Sequence, residues 1–202
     1  MVASKTLLFL PLLLAGALAA PGPASAVVAP IPGYTVTELQ WEVEVFPGQL
    51  KNFTGTVEKV HSQVTQLNPG WEQDVVAQRE PEEARASLDK RYIFYQVDCR
   101  PPGWQPAEYG AIGSGISYLK TLRGSPRYGP GPGACGRVSC SYDSAIWWCN
   151  DNRKPFSVHS WLDIADGAGE IFRKCKEGDR LLGQAFAEQH WNVIVRKDTS
   201  NC

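Results

Sequence analysis

The sequence predicts an α+β fold, a two-layer sandwich in which an antiparallel sheet carries two helices on one face. Three observations predict it. Over residues 92–202 the apolar positions switch between alternating and near-helical spacing in the order β-α-β-β-α-β-β. Clusters of glycine and proline separate these runs. All six cysteines, Cys99, Cys135, Cys140, Cys149, Cys175 and Cys202, fall in the same part. Strands in runs with two helices between them favour two packed layers, and a small core benefits from disulfide staples.

The elements follow in order. "YIFYQV" (residues 92–97) is aromatic and β-branched and predicts a strand, ended by Pro101-Pro102-Gly103. Ala107, Ile112, Ile116, Leu119 and Leu122 recur at near-helical intervals, with Pro106 suited to a first turn. Gly110, Gly113 and Gly115 weaken that helix by up to ~1 kcal/mol each. They match neither a dinucleotide fingerprint nor a P-loop. "GSPRYGPGPGACG" predicts a loop. "RVSCSYDSAIWWCND" predicts a hairpin through "YDS", and a turn centred on Ser144-Ala145 would set Cys140 opposite Cys149. "SVHSWLDIADGAGEIFRKC" predicts the second helix, with Ser160 as cap and Asp163 completing a capping box. "LLGQAFAEQHWNVIVRK" predicts two strands joined near Glu188-Gln189. Six cysteines allow fifteen pairings, and spacing does not choose among them.

Upstream of this domain the chain reads differently. Residues 1–26 combine Lys5, an apolar stretch and Ala24-Ser25-Ala26, the layout of a secretory signal peptide. The stretch is short and interrupted by Pro11 and Gly16, so no stable membrane anchor is expected. Residues 27–91 predict a small β-α pro-segment. Leu39, Trp41, Val43 and Val45 alternate as in a half-buried strand. Val57, Val60, Val64 and Leu67 have helical spacing, with Thr54 or Thr56 as cap. Asn52 opens a glycosylation sequon. From Val76 the composition is that of a linker, and it ends at Lys90-Arg91, a step of the type cut by kexin-type proteases. Arg153-Lys154, Arg173-Lys174 and Arg196-Lys197 are also dibasic, but only Lys90-Arg91 stands where the cysteine-free region ends. The expected division is therefore signal 1–26, pro-segment 27–91 and mature domain 92–202.

Charge excludes some functions. Residues 27–91 hold ten acidic and six basic side chains, net −4; residues 92–202 hold eleven and thirteen, net +2. Neither value provides the clustered basic face that nucleic acid requires. The cysteines lack zinc-ligand spacing and the histidines are scattered, so no metal or other cofactor is expected. In an oxidising compartment the even count predicts three disulfides and no free thiol.

The search for catalysis returns little. Ser157, His159 and Asp163 lie in one short stretch where helix capping explains two of them, and no GxSxG elbow is present. Asp143, Asp151, Asp163 and Asp166 offer carboxylates for glycoside hydrolysis, but turns and caps explain them as well. No catalytic residue is assigned. The tryptophans are more informative. Trp147 and Trp148 are adjacent on a strand, so their side chains point to opposite faces and one is expected to be exposed. With Arg137, Tyr142 and Arg153 they form the candidate recognition surface. An exposed indole beside Asn150-Asp151-Asn152 would also suit a sugar ring.

"ISYLKTLRG", "GPGPGACGRVSCSYDSAIWWCNDN", "IADGAGEIFRKC" and "GQAFAEQHWNVIV" resemble a family of small cysteine-rich secreted proteins of filamentous fungi, many of them effector candidates. The resemblance covers most of residues 116–202. The element order is distantly similar to the virally encoded killer toxins of smut fungi, which carry more cysteines and lack the long Gly-Pro loop. The resemblance implies an α/β sandwich and action on other cells, and transfers no catalytic residue. The expected function is that of a secreted effector or toxin-like virulence factor acting by surface recognition, more by binding than by catalysis. Its expected partner is a host or competitor cell-surface or apoplastic protein, or a cell-wall polysaccharide. The alternatives are a carbohydrate-binding or antimicrobial cell-wall protein and a small extracellular hydrolase.

Overall fold

The computed structural model describes residues 27–76, 92–122 and 124–202. The expected signal peptide, residues 1–26, and the Lys90-Arg91 step lie outside the described residues. The architecture is α+β, with a central six-stranded sheet and helices packed on its inner face.

The sheet is built from β1 (Thr35–Val36), β4 (Phe94–Asp98), β7 (Ala134–Ser141), β8 (Ser144–Asn150), β11 (Gly183–Ala187) and β12 (Trp191–Lys197), in the order β1-β7-β8-β12-β11-β4. It is mixed, not purely antiparallel. β1 runs parallel to β7, because it arrives from a distant part of the chain and no hairpin constrains its direction. Two three-stranded sheets flank it. β3 (Gln49–Thr54), β2 (Gln40–Phe46) and β6 (Pro126–Tyr128) form one; β5 (Ala107–Glu108), β10 (Arg180–Leu181) and β9 (Lys176–Glu177) form the other.

α1 (Val57–Leu67) buries Val57, Val60 and Val64, as their spacing predicts. Thr56 is its N-cap residue, but the preceding Asn52–Thr54 stretch belongs to a hairpin strand, not to the helix. A single π-helical turn, Glu72–Val76, follows. α2 (Tyr109–Thr121) begins three residues later than Pro106 suggests, because Ala107 and Glu108 pair with β10 first. α3 (Trp161–Lys174) carries the predicted capping box. The Leu162 N–H donates to Ser160 Oγ at 3.1 Å, and the Ser160 N–H donates to Asp163 Oδ2 at 2.9 Å.

Two of the helix glycines, Gly115 and Gly167, have a packing role. A Cβ on Gly115 would lie 2.4 Å from Ser139 Oγ, and one on Gly167 2.6 Å from Val193 Cγ2. Hydrogen at these positions lets α2 and α3 lie close on the sheet, which offsets the propensity penalty.

All three disulfides form, and no described cysteine is free. They join Cys99 to Cys175, Cys135 to Cys149 and Cys140 to Cys202. The Cys140–Cys149 juxtaposition is therefore wrong. The hairpin turns at Tyr142-Asp143, both with positive φ (49° and 54°), so Ser141 pairs with Ser144 and Cys140 with Ala145. A bulge at Val138 then brings Cys135 opposite Cys149.

The core is continuous across the chain. Leu39, Trp41, Val43, Val45, Val60 and Trp71 share it with Ile112, Leu119, Trp148, Trp161, Ile164 and Val193. Trp41 stacks on Trp161 with centroids 3.7 Å apart. A second, smaller cluster covers the outer face of the sheet. There Cys135, Ala145, Trp147, Cys149 and Ile194 lie beneath Val27, Ala29, Ile31, Tyr34 and Trp104.

Candidate recognition surface

The hairpin does not present the surface the sequence suggests. Trp147 and Trp148 do point to opposite faces of β8, but both faces are covered. Trp148 enters the core beneath the helices, and Trp147 lies under the N-terminal arm, so each is at most 1% exposed. Neither indole can stack on a ligand. Arg137 is committed as well. Its guanidinium donates to Ser200 O at 2.6 Å, pairs with Asp198 at 3.4 Å and lies over the Trp147 ring. Tyr142, at the turn, is 81% exposed, and Arg153 is exposed. Of the five predicted residues these two reach solvent freely.

The Asn150-Asp151-Asn152 amides serve the fold. Asn150 Nδ2 donates to Pro130 O and Lys154 O, each at 2.8 Å. Asn152 Nδ2 donates to Gln189 O and His190 O. Asp151 accepts from Tyr34 Oη at 2.9 Å and from Asn192 Nδ2 at 2.8 Å. Asn192 Oδ1 in turn accepts from Gln184 Nε2 at 3.1 Å. This chain of amides runs across the outer face from the N-terminal arm to β11.

Beyond Gln184 lies the β4 side of the sheet. β4 is the edge strand; Tyr95 on it and Ile93 just before it are each 61% exposed. The Tyr95 and Phe186 rings lie 6.5 Å apart at 38°. Gln96 donates to Asp98 beside them at 2.9 Å. Sequence reasoning assigned "YIFYQV" to a strand but not to a site. Only the observed order shows that it ends at an edge.

The head of α3 is where the predicted hydrolytic residues lie. Ser157 Oγ donates to Pro126 O at 3.1 Å, away from His159. The His159 ring stacks on Tyr92, with centroids 4.9 Å apart. Burial pushes Asp163 above the ordinary aspartate range, against the opposing pull of the Ser160 N–H and His159. Burial and then the Asp163 charge push the Tyr92 phenol up to about 12. Asp163 and Asp166 share α3, whereas Asp143 is at the hairpin tip and Asp151 in the amide chain. The structure thus does not assemble Ser157, His159 and Asp163 as nucleophile, base and orienting acid.

Asn52 lies exposed on β3, opposite Glu42. Among the described residues no three His, Cys, Asp or Glu side chains converge as a metal site, and no helix is long and apolar enough to cross a membrane. No protein-family model, curated protein or solved structure matches the chain.

Proposed function

We propose that this chain is a secreted, disulfide-stapled effector or toxin-like protein that acts on host or competitor cells by surface recognition, and that β4 and β11 carry the contact. The supporting observation is the exposed aromatic edge. Tyr95 stands on the edge strand beside Phe186, with exposed Ile93 just before the strand and Gln96 and Asp98 as a polar rim. Aromatic side chains with a polar rim are the pattern of energetically dominant contacts between proteins. The three disulfides suit an oxidising compartment. The partner is a cell-surface or apoplastic protein. A cell-wall polysaccharide is the second reading, favoured by the tilted Tyr95–Phe186 pair flanked by amides.

The test compares Tyr95→Ala and Phe186→Ala with His159→Ala after infiltration into leaf tissue, and repeats the set in pull-downs on chitin, glucan and pectin. Truncating an anchor of this kind costs about 2 kcal/mol or more, roughly a thirtyfold loss of affinity. Loss of activity in both aromatic variants, with circular dichroism unchanged, is the expected result. Retention on one polysaccharide that these variants abolish would select the second reading. Full activity in both aromatic variants, with loss in a folded His159→Ala, would replace recognition by hydrolysis.

A further inference from the structure

The outcome of cutting the chain at the dibasic step depends on what holds residues 27–76 to residues 92–202. No disulfide does, since all three bridges lie within residues 92–202. We infer that the N-terminal segment is a permanent non-covalent subunit, so that cutting between residues 76 and 92 yields a two-chain protein, not a freed domain. The inference rests on the expected processing for its biological occasion only; the contacts that carry it are independent of where the cut occurs.

Those contacts reach both faces of the sheet. Inside, Trp41 stacks on Trp161 with both indoles fully buried, and the His61 ring lies 4.6 Å from Tyr118. Leu39 fills the space over Gly136 so closely that a Cβ there would fall 2.3 Å from Leu39 Cδ2. Backbone pairing continues through both parts, β1 along β7 and β2 along β6. Glu58 accepts from the Ser139 hydroxyl and, at 3.1 Å, from the Cys140 N–H. On the outer face the N-terminal arm covers Trp147 and the Cys135–Cys149 bridge, and Tyr34 donates to Asp151.

Departure of the segment would uncover Trp161 and Trp147 and leave the Ser139 and Cys140 donors without Glu58. Exposed apolar area on that scale opposes dissociation, as does the loss of buried hydrogen-bond partners. The other side of the break is already anchored. Tyr92 stacks on His159 and meets Trp191 edge-on at 5.1 Å, and Ile93 O accepts from the Glu188 N–H. A chain beginning at Tyr92 therefore keeps its first residue in place.

The test uses the secreted full chain, cut in native buffer by a kexin-type protease or a limiting amount of trypsin. Denaturing, non-reducing electrophoresis should show two polypeptides, and gel filtration a single peak at the uncut volume. The thermal midpoint of the cut protein should rise with protein concentration while that of the uncut protein does not, because only the former unfolds into two molecules. Leu39→Ala should weaken the association of the cut fragments at least tenfold. Glu58→Gln, a smaller perturbation, should weaken it in the same direction should Leu39→Ala fail to fold. Separation of a folded 92–202 fragment on gel filtration would overturn the inference, and so would resistance of the link to both proteases, since the link must be separable from the fold. Culture filtrate containing only chains that begin at Val27 would remove natural processing while leaving retention after cutting in vitro intact.

Discussion

Gly136→Ala tests the joint between the two parts of the chain at a single methyl group. Gly136 is buried on β7 opposite Trp148, and its missing Cβ is replaced by Leu39. An added Cβ would fall 2.3 Å from Leu39 Cδ2, 2.6 Å from Cγ and 3.1 Å from Cδ1. Leu39 is 1% exposed, so it has no solvent to retreat into. Overpacking of this kind costs about 1–3 kcal/mol. One opposing term is the lost freedom of the unfolded glycine, worth about 0.4–1 kcal/mol. Overpacking should win by about 1–2 kcal/mol, a fall in Tm of roughly 2–8 °C for a chain of this size. Leu39→Ala alone should cost about 2–5 kcal/mol. In the double variant the new methyl occupies space that Leu39 has left, so the two costs should not add. Thermal and urea unfolding of the four proteins gives the coupling. Independent sites add within about 0.3–0.5 kcal/mol, and the expected departure exceeds 1 kcal/mol in the favourable direction. A neutral Gly136→Ala, or additivity within that error, would refute the close packing of residue 39 on β7.

Two other outcomes are expected. The difference in phenolate absorbance between the wild type and Tyr92→Phe should titrate with a midpoint near 12, as burial raises it from 10.0. Because the folded state holds that proton more tightly, its contribution to stability is complete below about pH 10 and is lost as pH rises through 12; a midpoint at 10 would mean that Tyr92 is not buried against His159 and Trp191. Among the disulfides, the chain-entropy account assigns about 3 kcal/mol to Cys135–Cys149, which spans 14 residues, and more than 4 kcal/mol to Cys99–Cys175 and Cys140–Cys202, which span 76 and 62. Paired alanine substitutions should lower the urea midpoint least for Cys140–Cys202, despite its long loop. It is partly exposed, whereas Cys135 and Cys149 are fully buried and their loss adds a packing defect. Equal losses at all three bridges would contradict that ordering.

Local chemistry was legible wherever neighbouring residues settle it. The strand at 40–46, the valines of α1 and the Ser160–Asp163 capping box all form as their spacing and side chains require, because each depends on residues within one or two turns. The α+β class follows from the order of such elements. The cysteine pairing was not legible. It depends on a turn at Tyr142-Asp143 that lacks the glycine usual for positive φ, and on a bulge at Val138. Displacing a turn by two residues changes every cross-strand partner.

The same distinction applies to the candidate surface. Alternation alone places Trp147 and Trp148 on opposite faces of a strand, but burial depends on what arrives from elsewhere, here α2 and α3 on one side and residues 27–34 on the other. Likewise "YIFYQV" specifies a strand, and only the sheet order makes it an edge with Tyr95 beside Phe186. By itself the sequence determined the fold class and its longer elements, while the short strands β1, β5, β6, β9 and β10 and the β2–β3 hairpin emerged only in the fold. The tertiary structure alone decided which cysteines meet, which aromatics reach solvent and that residues 39–71 complete the core of the cysteine-bearing part. Elements arise from contacts between near neighbours, whereas faces, partners and shared cores arise from contacts between residues tens of positions apart, whose meeting no local pattern encodes.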